Sequence, residues 1–360
     1  MNRNELAEEK SPDHTTQDYA ISSGNEDDDN PHEDGGQLDN QSQDDTETKY
    51  KLVMSYVDSD DPDKALLLLE ELVTTASKTL DQTNPLRLKY EHQLGKILSA
   101  TGNPQRALGL LENVISIGTT TLGEEHLDLL RYKHDLANTY LSTGNIHAGV
   151  QLSESVVAIE ERLLGQDHPY VSASKHELAM MYQVNDEHKR GIELLESVVA
   201  KLTEQVSEDH PKVINAMVDL AGIYRGDRQN RQAIRVLEKV VTLLDRTSHE
   251  LYTRMEPHAE LADRYLEDGQ IAQMIALNER IVAEHEAGLA EERPRCLAAL
   301  KGLAEAHRIQ GRVDKAVELL NRVIAIQKRT LHDEHPALLK TRSLLSRVND
   351  ERGETDGKQN

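Results

Sequence analysis

DLLRYKHDLANTYLSTGNIHAGVQLSESVVAIEERLLGQDHP, residues Asp128 to Pro169, is the unit from which most of this chain is built. Its landmarks are Leu136-Ala137, Tyr140, Gly144 and the small residue Gly149. Stepping by 42 residues, with one slip to 41, the Leu recurs without exception at Leu52, Leu94, Leu136, Leu178, Leu220, Leu261 and Leu303. The next position reads Val53, Gly95, Ala137, Ala179, Ala221, Ala262 and Ala304. The aromatic slot reads Tyr56, Leu98, Tyr140, Tyr182, Tyr224, Tyr265 and His307. Self-similarity of this kind predicts a solenoid, in which each copy packs on its neighbours and length simply counts copies.

Each copy reads as two helices, A and B. The first begins near Thr46, with Tyr50, Leu52, Val53 and Tyr56 on helix A. Helix B follows from Asp63, with Ala65, Leu68, Leu69, Leu72, Val73 and Ala76 forming an apolar stripe at helical spacing. Between A and B lie turn residues such as Thr101-Gly102-Asn103-Pro104, Asn185-Asp186, Gly226-Asp227 and Gln310-Gly311, where Gly or Asn is expected to take the left-handed conformation that ends a helix. Between copies the chain reads Gly165-Gln166-Asp167-His168-Pro169, with variants ending in His126, His210-Pro211 and His335-Pro336. Proline suits a first helical turn and excludes helix from the residue before it, so these linkers mark the start of each A helix. The recurrent His is expected to be buried there and to satisfy orphan backbone groups. Ala337 to Val348 repeats the A pattern alone and reads as a capping helix.

Composition restricts the functions open to the chain. Of 360 residues 37% are hydrophobic, with no Phe and no Trp, a mixture suited to layered helices rather than one deep core. The single cysteine, Cys296, excludes an intramolecular disulfide and a cysteine-based metal cluster, and fits a reducing compartment. No apolar run approaches a signal segment or a membrane span, so a cytoplasmic or nuclear location is expected. Residues 1–49 hold 15 of the acidic residues against three basic ones, so about half of the net charge of −23 falls there. Residues 1–45 therefore read as a disordered acidic tail, 46–348 as the repeat domain, and 349–360 as a polar, disordered end. An acidic chain repels phosphates, so protein or peptide partners are expected, with no nucleic acid, membrane or small-molecule substrate.

Leu-Ala, two residues, Tyr, three residues and Gly, as in Leu136-Ala137-Tyr140-Gly144, resembles the tetratricopeptide repeat. The 42-residue period with Leu164-Gly165 and His168-Pro169 in the linker resembles the kinesin light chain branch of that family. The resemblance implies an all-α fold, a right-handed α-α superhelix of seven helix pairs plus a C-terminal capping helix. It also implies an interaction scaffold or adaptor whose A helices line a concave groove for a partner peptide or helix. Two departures stand against a direct transfer of function. Residues 1–45 show no heptad, unlike the coiled coil of those light chains. The Asn pair common before Leu-Ala in that branch is replaced by His92-Gln93, His134-Asp135 and His176-Glu177.

On the family's geometry the inward positions are Lys89, His92, Gln93 and Lys96, then Arg131, His134, Asp135 and Asn138, then His176, Glu177 and Met180. Glu256, Glu260, Asp263 and Glu305 follow, which makes the groove basic to mixed at its start and acidic at its end. The ladder of His92, His134 and His176 does not suggest a metal site. Equivalent positions on packed helices lie about 8–10 Å apart, whereas zinc–nitrogen bonds are about 2 Å. No phosphate loop or catalytic triad pattern is present, so neither an enzyme nor a cofactor is expected. The alternative reading from another class is an acidic chaperone for basic proteins such as histones, acting through the N-terminal tail.

Overall fold

The computed structural model describes residues 40–246, 257–287 and 294–357. Every regular element there is an α-helix, and they alternate as A and B: α1 (Asn40–Asp58), α2 (Pro62–Thr79), α3 (Pro85–Ala100), α4 (Pro104–Thr121), α5 (Leu127–Ser142), α6 (Ile146–Leu164), α7 (Pro169–Val184), α8 (His188–Gln205), α9 (Pro211–Gly226), α10 (Asn230–Leu244), α11 (Pro257–Glu267), α12 (Ile271–Ala287), α13 (Pro294–Ile309), α14 (Val313–Thr330) and α15 (Pro336–Gly357). These are seven helix pairs and a final single helix, as the period predicts. The chain divides into two compact units, residues 1–163 and 164–360.

Helix starts follow the linker chemistry. Proline occupies the first turn of α2, α3, α4, α7 and α9, where a missing N–H costs nothing. His126, His168, His210 and His335 each precede an A helix, and each Nδ1 accepts the backbone N–H two residues on at 3.2 Å. Asn84 does the same for α3 with its side-chain oxygen at 2.9 Å. These imidazoles are therefore helix caps, but they are exposed or half-buried rather than buried as expected. A ring nitrogen reaches an N–H at a helix mouth from the surface, so burial is unnecessary.

The A–B turns hold a second regularity. Left-handed backbone falls at Asp60, Gly102, Gly144, Asp186, Arg228, Gly269 and Gly311, again at steps of 42 with one of 41. In two turns this departs from expectation: Asn185 is not the left-handed residue, and Gly226 belongs to α9. The register of the hairpin chooses the position, and whatever residue stands there must adopt it.

Packing explains what repeats. From Leu94 to Leu303 the invariant leucines are at most 7% exposed, whereas Leu52, on the first described helix, is 44% exposed. In the N-terminal unit, Val53, Ala65, Leu69, Leu72, Tyr90, Leu94 and Leu98 form one apolar cluster. In the C-terminal unit one cluster runs from Ala179 to Ile326. Gly149 is needed for close approach, since a Cβ there would stand 2.8 Å from the Ala137 carbonyl oxygen. The final helix does cap: Val348 packs with Ala304, Ala316 and Leu320, and Arg308 reaches Glu351 at 3.0 Å.

Helix α1 begins at Asn40, ahead of residue 46, and α15 runs to Gly357, beyond Val348. Within α1 the Lys51–Glu47 pair spans one turn at 2.8 Å. The expected tail falls outside the described residues for 1–39, and so do 358–360.

Candidate functional site

The inward positions of the N-terminal unit lie on α3 and α5, where the structure separates them into two sets. Lys96, Arg131 and Asn138 are exposed, and Lys89 and Gln93 are half-buried. Lys89 places its Nζ 4.8 Å from the Tyr50 ring centre, and Arg131 lies 5.7 Å from that of Tyr132 while its Nη2 bonds Asp128 at 2.9 Å. Cations resting on aromatic faces keep their heads toward water and lose little hydration.

The second set is tied up within the fold. His92 is buried, stacks on Tyr132 with ring centres 4.1 Å apart, and meets Asp135 on the next A helix at 2.6 Å through Nε2. Burial raises the Asp135 carboxyl, but the hydrogen bond and charge of His92, with Lys96 and His134 behind them, outweigh it and hold that carboxyl below the usual range. His134 turns instead to Glu160 on α6, at 3.0 Å, and Glu160 is 0% exposed. These three side chains were expected on an open groove; the structure places them against acids and rings of neighbouring helices.

In the C-terminal unit His176 is likewise buried and meets Asp219 at 2.7 Å. Glu177 is half-buried, and Met180 packs on the apolar core. The acidic positions are largely compensated. Glu260 receives two bonds from Arg225, at 2.9 and 3.0 Å, and Glu305 receives two from Arg308, at 2.7 and 2.9 Å. Arg308 holds the Glu305 carboxyl below its ordinary value. Asp263 reaches solvent, yet partial desolvation, then the charge of Glu260, pushes its carboxyl up. Glu256 lies outside the described residues.

One recurrent contact escaped the sequence reading. Tyr140 donates its hydroxyl to Glu112 at 2.8 Å, Tyr265 to Glu238 at 2.7 Å, and Tyr224 to Glu196. Each bond ties an A helix to the preceding B helix. In the second copy, where Leu98 fills the aromatic slot, the matching Glu70 pairs with Arg106 at 3.0 Å. A search for Glu 27 or 28 residues before each slot tyrosine would have found it.

Among the described residues no group of three or more His, Cys, Asp and Glu is placed to hold a metal ion, and no helix is long and apolar enough to cross a membrane. Stacked antiparallel pairs of this length, with the variable polar side chains on one helix of each pair, define a helical-repeat protein. Sequence profiles of the tetratricopeptide repeat match residues 170–246 and 295–356, and also 92–128 and 129–170, together more than half of the chain. The chain belongs to the tetratricopeptide repeat family, whose members are typically non-enzymatic scaffolds for protein–protein interaction.

Among solved structures it is similar to the kinesin light chain nearly identical TPR-like repeats of Podosopora anserina, at 31% identity over 69% of this chain and 99% of that one, with a TM-score of 0.45. It is also similar to a signal transduction ATPase with a tetratricopeptide repeat sensor from Pyrococcus horikoshii, at 13% identity over 80% of this chain and 43% of that one, TM-score 0.62. A third is the C-terminal part of a TPR repeat-containing protein from Cytophaga hutchinsonii, at 11% identity over 81% and 98%, TM-score 0.52. The last two speak for the fold alone. No curated protein sequence matches the chain.

Proposed function

We propose that the chain is an adaptor that takes an extended segment or a helix of another protein on the A-helix face of α3 and α5. The observation that carries this reading is the separation of neighbours on those helices. Lys89, Gln93, Lys96, Arg131 and Asn138 change from copy to copy and reach solvent, while His92, His134 and Asp135 beside them are held by the fold. Side chains that do not repeat and that still reach solvent are the ones available to a partner, and cations there favour a segment carrying acidic groups. The buried thiol of Cys296 suits a reducing compartment, hence cytosol or nucleus.

The test is affinity capture from cells with the full chain and with a variant carrying K96A, R131A and N138A together. The variant is expected to keep its helical content and melting temperature and to lose its captured proteins. An unchanged set of captured proteins overturns the assignment. Capture of basic proteins that disappears on deleting residues 1–39, with this variant still binding, supports the chaperone reading instead.

A further inference from the structure

The C-terminal unit carries a polar cleft of about 400 Å³, lined by Arg225, Arg228, Asn230, Arg264, Glu267 and Asp268. It is formed by the turn between α9 and α10 and by α11. None of these residues belongs to the A-helix positions considered above.

Arg228 is the anomaly. Of the seven left-handed turn positions, four are Gly and two are Asp, types that tolerate that backbone; the seventh is Arg228, at φ 60°. A long side chain gains nothing structurally from this place: the Arg228 backbone N–H donates to the Arg225 carbonyl at 3.0 Å, but its guanidinium makes no hydrogen bond or ion pair among the described residues. Strain retained at a position with no internal partner points to a demand from outside the fold.

The surrounding groups say what would meet that demand. Arg225 is occupied by Glu260 at 2.9 Å. Arg264 is 8% exposed and spends Nη1 on Glu267 at 2.5 Å, but its Nε, 3.3 Å from Glu260, makes no hydrogen bond. Asn230 donates Nδ2 to the Arg264 carbonyl at 3.0 Å, which fixes the amide's orientation and leaves its buried Oδ1 without a donor. The cleft thus offers a free guanidinium, an unused guanidinium N–H and an unused acceptor. Glu267 and Asp268 on the lining disfavour a dianion, so a phosphate fits less well than a single carboxylate.

We propose that this cleft binds an acidic residue of a partner peptide, its carboxylate on Arg228 and a peptide N–H on Asn230 Oδ1. The proposal shares with the previous section only the premise that the chain binds proteins, and it does not require α3 or α5. The experiment is a titration of the full chain with acetyl-Ser-Glu-amide, acetyl-Ser-Gln-amide and inorganic phosphate, followed through the arginine Nε–Hε resonances. The Glu peptide is expected to shift the Arg228 signal saturably, and the Gln peptide to leave it in place.

In R228G and R228N, which fit the left-handed backbone, binding read from the Arg225 signal should weaken about tenfold. The melting temperature of R228G should meanwhile rise. An equal response to the Gln peptide, tighter binding of phosphate, or undiminished binding by both variants overturns the proposal. Binding of the Glu peptide by the K96A, R131A, N138A variant separates this site from the α3–α5 face, whichever way that face performs.

Discussion

The two units spend their charge differently. On α3 and α5 the cations Lys96 and Arg131 stand toward solvent, Arg131 with its own Asp128 at 2.9 Å, while the half-buried acid Asp135 is taken by the buried His92. On α11 and α13 the acids Glu260 and Glu305 are half-buried and bridged by Arg225 and Arg308. A charge counted along a helix face is therefore not a charge available to a ligand. Availability depends on whether the neighbouring copy supplies a partner, and only the fold reveals that.

The sharpest way to break this contrast is to remove a buried partner in one unit and a surface partner in the other. H134A leaves the fully buried Glu160 carboxylate facing an emptied site and should cost about 3–5 kcal/mol, whereas R308A should cost about 1 kcal/mol or less; denaturant unfolding of the two variants measures both.

A second comparison uses the slot of Gly149, which in the sixth copy is filled by Met274 at 2% exposure. G149M forces a side chain against the Ala137 carbonyl and should lose about 1–3 kcal/mol. M274A leaves a cavity and should lose about 2–5 kcal/mol. If either were neutral, that copy's slot would be packed less tightly than its burial indicates.

The smallest effects are in pH, and they have opposite signs. The Asp135 carboxyl is held low in the folded state, so it contributes stability above its unfolded value of about 4, lost as pH falls through the folded one. The stability gap between the native chain and D135N should shrink from pH 5 toward about 3. Asp263 is pushed up, so its ionised form opposes folding. D263N should therefore be more stable than the native chain at pH 7, by a margin that closes as acid protonates Asp263. Thermal melts across this range read both signs.

Much of the architecture was legible because it is required by packing at every copy. The leucine of Leu136 recurs in every copy, and small residues recur in most copies at the slots of Ala137 and Gly149, since close helix approach favours those volumes, and the linker prolines mark helix starts for local reasons that need no tertiary knowledge. The site was less legible. His92 and Lys96 stand one turn apart on α3 and read alike in sequence, yet one is buried against Asp135 and the other is exposed. That difference is made 43 residues away, by an acid on the next A helix. Arg228 was invisible for a related reason, because the turn reading looked for Gly or Asn and passed over the residue that the hairpin register in fact selects.

The tyrosine-to-glutamate bonds have a consequence for descent. Glu112 and Glu196 find their tyrosines 28 residues on, and Glu238 finds its own at 27. Excising residues 197–238 would bring Glu196 to the same interval from Tyr265, so the bond would re-form between members of different copies. Loss of half a copy would strand both ends. Duplication and deletion in whole copies are thus nearly silent to this contact, and partial ones are not. The heritable piece of such a chain is the interval between a glutamate and its tyrosine, more than any one helix.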